Sequence, residues 1–165
     1  MEPILRLTGR LNPRESWTAD RCTIAASLDV LTTRSAFLIL REAFYGTTRF
    51  DDFAERAGIS EPVAAARLRE LVDEGLLERE DYREPGQRTR QRYRLTEKGA
   101  DLFPALVALM QWGDRWLDDR GGPVELRHRD CGEPVAVELR CAAGHSVTPD
   151  ELDLAVRPRA GARRE

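Results

Sequence analysis

Arginine recurs at every second position from 88 to 94. A strand repeats its side-chain direction every two residues, so Arg88, Arg90, Arg92 and Arg94 would share one face. A row of guanidinium groups suits phosphates on both sides of a minor groove, with a tip arginine inside it. The competing use is pairing with Glu78, Glu80 and Glu84 on a partner strand. A second chemical set lies further on, in His128-Arg-Asp-Cys131-Gly and Cys141-Ala-Ala-Gly-His145. These two segments hold both histidines and two of the three cysteines. Two such knuckles, joined by a strand from Val135 to Arg140, can hold a zinc ion tetrahedrally through His128, Cys131, Cys141 and His145. Four protein ligands leave no open position, so that zinc would be structural. The spacings differ from paired C-x-x-C knuckles, and a ribbon held by packing alone is the other reading.

The elements that must position these groups follow from periodicity and punctuation. A helix is expected from about Thr18 to Leu31, with Ile24, Leu28 and Leu31 on one face. A second runs from about Ser35 to Tyr45 on Phe37, Leu38, Leu40 and Phe44, and ends at Gly46. The third covers about Arg49 to Ala57. The fourth covers about Ser60 to Glu74, with Ser60 as N-cap and Gly75 after it. The third and fourth helices, joined through Gly58 and Ile59, make a helix-turn-helix whose second helix can enter a DNA major groove. A strand from Leu76 to Arg83, a turn over Glu84-Pro85-Gly86-Gln87 and a return strand from Thr89 to Leu95 make a wing. A long helix then runs from Thr96 through Leu102, Phe103, Leu106, Leu109, Met110, Trp112 and Trp116 to about Asp119.

The expected fold is mainly α with a little β. Residues 1–16 form an arm, 17–120 the winged helix-turn-helix and dimerisation domain, 121–156 a small ribbon-like element and 157–165 a frayed tail. Ile4, Leu5, Leu7 and Leu11 suit the arm to docking on a partner subunit. The N-terminal helix and the long helix carry more apolar surface than one small core needs, which points to a two-fold dimer reading two half-sites.

Cys22 through Gly113 resembles the HxlR-type winged helix-turn-helix transcriptional regulators, relatives of the MarR group. The matching stretches are Cys22 to Leu31, Phe37 to Glu42, Gly46 to Phe53, Gly58 to Ser60, Arg67 to Arg79, Tyr93 to Gly99 and Gln111 to Gly113. The resemblance implies small bacterial homodimers that bind palindromic operators and respond to metabolites, electrophiles or oxidants. Two places depart from the family pattern. Arg34 is followed by Ser35 and not by tryptophan. Pro62, Ala65 and Ala66 stand where the recognition helix usually offers lysine, serine and glutamine.

Base readout then falls to Ser60, Glu61 and Arg67, with Pro62, Ala65 and Ala66 at the same surface. Alanine can touch a thymine methyl but makes no hydrogen bond, and Glu61 can accept from a cytosine amino group. Complementing the helix dipole is the other use of Glu61. Arg34 and Arg49, at helix starts, suit phosphate clamping; an ion pair with a neighbouring acid, Asp51 or Asp52 for Arg49, is the alternative. Arg67 lies nearer the N-terminal half of its helix than Arg69 and is the preferred groove residue. An effector pocket is expected near Trp17, Phe37, Phe44 and Trp112. Cys22, at a helix start, is either a redox-sensing thiol or an inert one.

Composition constrains the rest. The 165 residues carry a net charge of −3, so any basic surface is local. No apolar stretch reaches the roughly 20 residues of a membrane span, and no signal-peptide pattern opens the chain. A cytoplasmic protein is expected, with double-stranded DNA as partner and no membrane. An enzyme is not expected: no nucleophile–histidine motif, phosphate-cradling glycine loop or open metal site is present. The rival function is a winged-helix module for ligand or protein binding with weak or lost specific DNA binding.

Overall fold

The computed structural model describes residues 4–16, 18, 22–31, 33–83 and 89–157. They fall into two units, one of Met1–Cys22 with Ala136–Glu165 and the other of Thr23–Val135.

The larger unit is built around α2, Arg34–Phe44. Its N-cap Thr33 accepts a side-chain hydrogen bond from the Ala36 amide at 3.2 Å, meeting one of the orphan donors of a helix start. Helix α3, Phe50–Ala57, ends at Gly58 in the left-handed region (φ +62°). The Ile59 amide reaches back to the Ala54 carbonyl at 3.1 Å. That is a glycine-closed helix end, and it makes the turn that leads into the next helix. Helix α4 covers Glu61–Asp73; Ser60 occupies the N-cap place but makes no capping bond through its side chain. Helices α2, α3 and α4 bury Ile39, Leu40, Phe53, Leu68 and Leu71 together. Full burial of each such side chain contributes about 1.5–3 kcal/mol.

The wing follows as β2, Leu77–Tyr82, antiparallel to β3, Arg90–Leu95. Its expected turn, Glu84 to Gln87, and Arg88 lie outside the described residues. The long helix expected after the wing is two helices, α5 over Glu97–Ala100 and α6 over Phe103–Trp116. Pro104 sits in the first turn of α6. It has no amide hydrogen and its ring would collide with the carbonyl four residues back, so the helix must break before it.

The N-terminal helix α1 is shorter than expected, Thr23–Val30, and buries none of its residues within the chain. Ile24 and Leu28 are exposed, whereas Leu31, just past its end, joins the core. No single helix among the described residues is long and apolar enough to cross a membrane.

The smaller unit departs from expectation. Within the N-terminal arm, β1, Arg6–Leu7, pairs in parallel with β4, Asp153–Leu154. Arg6 and Asp153 add a two-pronged ion pair at 2.5 and 2.9 Å. No strand forms over 135–140; Arg140 and Ser146 form an isolated bridge here, and Arg127 and Pro134 form one in the larger unit. Many backbone groups there face solvent, so water can satisfy them and a ladder is not required.

The junction between α4 and the wing is tightly tied. Thr96 Oγ1 donates to the Gly75 carbonyl at 2.6 Å, and Lys98, the chain's only lysine, donates to the Glu74 carbonyl at 2.5 Å. A Cβ on Gly99 would lie 2.1 Å from the Leu76 carbonyl oxygen. Gly99→Ala therefore sets a helix-propensity gain of about 1 kcal/mol against an overpacking cost of about 1–3 kcal/mol or more. We expect net destabilisation, read as a lower urea midpoint; an unchanged or higher midpoint would contradict this packing.

Candidate nucleic-acid interface

Helix α4 buries Ala64, Leu68 and Leu71. At 100° per residue, the opposite face carries Pro62, Ala66, Arg69 and Asp73. Arg69 is exposed, whereas Arg67 lies on the flank with a side chain only 23% exposed, ion-paired to Glu70. The outward place on α4 is therefore held by Arg69, and Arg67, the expected groove residue, stands on the flank. The signal was present in the sequence: taking Ala64, Leu68 and Leu71 as the core stripe puts Arg69 outward. Ser60 and Glu61 are exposed at the start of the helix, Pro62 is exposed, and Ala65 and Ala66 are half-buried.

The wing is pinned to the start of α3. The Tyr93 amide donates to the Thr48 carbonyl at 2.8 Å, and Arg49 forms an isolated bridge with Arg92. On the inner face of β3, Tyr93 packs edge-on against Phe53, ring centroids 6.1 Å apart. On the outer face, Arg90, Arg92 and Arg94 follow one another as the period of two requires. Arg49 and Arg92 both lie over the Tyr82 ring, at 5.7 and 5.9 Å. An arginine before α3 and one on the wing thus converge on a single aromatic ring. Periodicity singles out neither Tyr82 nor this convergence. Arg34, the first residue of α2, is exposed.

Pairing across the hairpin is real for part of the row. Arg92 forks onto Glu80 at 2.9 and 2.8 Å, and Arg94 meets the same carboxylate at 2.9 Å. Arg90 stands opposite Tyr82 in the register and is exposed. The Arg92 hydrogen bond holds the Glu80 carboxyl below its ordinary value.

The other expected site residues are dispersed. Phe37 and Phe44 line a cleft beside α6, but Trp112 does not. Leu106, Val107 and Met110 are on the inward stripe of α6; Trp112 and Trp116, about 140° round by helical geometry, are 56% and 62% exposed. Trp17 lies outside the described residues. Cys22 is a half-buried free thiol just before α1. Of the zinc ligand set, His128 Nδ1 and Cys131 Sγ lie 3.2 Å apart in one turn, which the Gly132 amide closes on the His128 carbonyl. Cys141 and His145 belong to the other unit, where the Cys141 amide donates to the His145 carbonyl at 3.0 Å. Among the described residues no group of three or more His, Cys, Asp and Glu is placed to hold a metal ion.

Comparison with known proteins places this geometry. A profile described as HxlR-like helix-turn-helix matches residues 30–121. The chain belongs to the HxlR-like helix-turn-helix family. The match covers α2 to α6, the helices and wing just described. An uncharacterised HTH-type transcriptional regulator of Mycobacterium tuberculosis, Rv3095, is 44% identical over 128 residues, 76% of this chain and 80% of its own length. Among solved structures, PA1607, a candidate transcription factor, is 35% identical with a TM-score of 0.72, covering 86% of this chain and 97% of that one. YodB of Bacillus subtilis, a transcriptional regulator solved in its reduced form, is 28% identical with a TM-score of 0.51, covering 59% of this chain and 94% of its own.

The lowered Glu80 value carries a sign. A carboxyl that titrates below its ordinary value stabilises the folded state above that ordinary value, and the contribution is lost as pH falls through the lowered one. The pair is exposed, so its effect on stability is small. A side-chain carboxyl NMR titration should place Glu80 below the ordinary glutamate range, and Arg92→Ala should return it toward that range. No movement in the variant would contradict the pairing.

Proposed function

We propose that this HxlR-family chain is a DNA-binding transcriptional regulator. It acts as a homodimer on a palindromic operator and is controlled by a small-molecule or redox signal. The observation that carries the reading is the convergence of Arg49, Tyr82 and Arg92, which sets the arginine face of the wing beside a helix-turn-helix. A wing arginine row neutralises phosphates, and α4 supplies contacts to base edges. The alanine-rich start of α4 has few hydrogen-bonding groups, which shifts affinity toward the wing and toward methyl contacts. Trp112 and Trp116 of α6, with Ile24 and Leu28 of α1, are large apolar groups left open to solvent, and a second copy is the partner we assign to them. The redox arm is supported by the Cys22 thiol and by the description of a solved relative, HypR, as a redox regulator.

The deciding experiment is a mobility-shift titration on the chain's own upstream intergenic DNA against a scrambled duplex, at two salt concentrations, with light scattering of the complex. We expect specific retention, two chains per operator and a salt slope of about −0.9 per neutralised phosphate. Arg90→Ala should weaken binding to both duplexes and flatten the slope. Glu80→Ala, which releases Arg92 and Arg94, should strengthen it and steepen the slope. Shallow retention without preference, unmoved by either variant, would favour the ligand- or protein-binding module. Repeating the titration after diamide, with Cys22→Ser as control, separates a redox signal from a ligand signal.

A structural zinc ion held by His128, Cys131, Cys141 and His145 is a separate proposal, supported by the closeness of His128 and Cys131. Metal analysis of the purified chain should find about one zinc per chain, lost in Cys131→Ser. Zinc far below one per chain would end that reading.

A further inference from the structure

The larger unit contains a cleft to which α4 and the wing contribute no lining residue. It has a volume of about 510 Å³ and lies between α2, α6 and residues 123–126. Sites for small organic molecules commonly measure about 300–1,000 Å³ and are mostly apolar with a few polar groups. Phe37, Phe44 and Phe103 supply rings, with Phe44 and Phe103 4.9 Å apart by centroid. Charged groups on its wall are Arg41 and Glu42 alone. They are paired to each other at 2.6 and 2.9 Å. A wall whose two charges cancel offers no counter-ion to an anion or a cation, so the lining selects a neutral, aromatic occupant.

The same pair leads out of the cleft. Arg41 Nη2 donates to the Arg56 carbonyl at 3.3 Å, in the last turn of α3. Thr47, which does not line the cleft, donates to Glu42 Oε2 at 3.5 Å and accepts from Arg56 Nη1 at 3.0 Å. One side of the Arg41–Glu42 pair therefore faces the cleft and the other is bonded to the helix that enters the DNA-reading turn. Trp112 and Trp116 do not line the cleft, whereas Phe103 and Leu109 of the same helix do, and they are 39% and 56% exposed. The size and ring lining of the cleft fit a small molecule, and occupation by a second copy is an outcome of the test.

We infer that this cleft binds a small, neutral, aromatic molecule, and that the Arg41–Glu42–Thr47–Arg56 chain of hydrogen bonds carries its presence to α3. The inference rests on the regulator reading for its consequence, though not for the binding itself. A ligand that moves Arg41 loosens its bond to the Arg56 carbonyl and changes the seating of α3 and α4. Binding and DNA response are therefore coupled, and by linkage operator DNA changes ligand affinity by the same factor.

The test uses the full chain and N-phenyl-1-naphthylamine, a neutral aromatic fluorophore. Saturable enhancement at about one site per chain is expected. Val124→Trp fills the cleft from an exposed segment, 49% exposed in the parent chain, and should weaken binding at least tenfold. Met110→Trp fills it from α6 as a second variant, should the first displace the segment. Circular dichroism checks that each folds. Absence of saturable binding, or binding untouched by both variants, overturns the site. Binding that appears only when the protein is diluted to monomers assigns the cleft to a second copy and also overturns it. With operator DNA, the fluorophore should change affinity several-fold in the parent chain and by less than twofold in Thr47→Val. An equal response in that variant overturns the transmission route. The fluorescence arm gives its answer even if the chain retains no DNA, so failure of the cleft and failure of the regulator reading are separable.

Discussion

Helix α2 is buried on one side and half open on the other, and the rest of the larger unit depends on that division. Ala36, Ile39 and Leu40 are within the core, where α2 touches α3, α4 and β3. Phe37, Leu38, Arg41 and Phe44 look toward the cleft beside α6. An eleven-residue helix has room for both because 3.6 residues per turn separate the two stripes. The buried stripe orients the DNA-reading helices, and the open stripe meets whatever fills the cleft. A side chain such as Phe37 is accordingly neither plain core nor plain surface: it packs against the core cluster and also lines the cleft.

Charge is arranged locally, as the net value of −3 demands. Glu80 draws two wing arginines, Arg92 and Arg94, while Arg90 stands beyond its reach in the register. An exposed guanidinium–carboxylate pair is worth little in water. Phosphates can therefore compete for these arginines at small cost. Arg49 and Arg92 tolerate each other near Tyr82 because the negative face of the ring offsets part of their repulsion.

Relatives named as transcriptional regulators share the helix-turn-helix region, and the candidate transcription factor PA1607 matches 86% of this chain. The recognition helix differs in kind from a helix rich in hydrogen-bonding groups. Pro62 pre-organises its first turn and the alanines after it narrow its profile. Such a helix can approach bases closely but reads few of their edges, which gives the flanking contacts a larger share of the binding energy.

Local chemistry made most of the larger unit legible from the chain alone. The borders of α2, α3, α4 and both wing strands follow, to within a residue or so, from Gly46, Gly58, Gly75 and the alternation of arginine, because caps, turns and strand periods act over a few residues. The break between α5 and α6 is equally local, written in Pro104, although the apolar pattern runs on across it. What tertiary structure alone decided involves partners far apart along the chain. Arg6 and Asp153 are 147 positions apart, so no local pattern announces that β1 pairs with β4. Which wing arginine was left unpaired by Glu80 depended on strand register. The meeting of Arg49 with Arg92 over Tyr82, and the separation of the cleft-lining stripe of α6 from Trp112, needed the packed backbone. The sequence determined which elements form and which side chains can bind phosphate; only packing decided which of those side chains meet, because contact depends on distance in space and not on spacing in the chain.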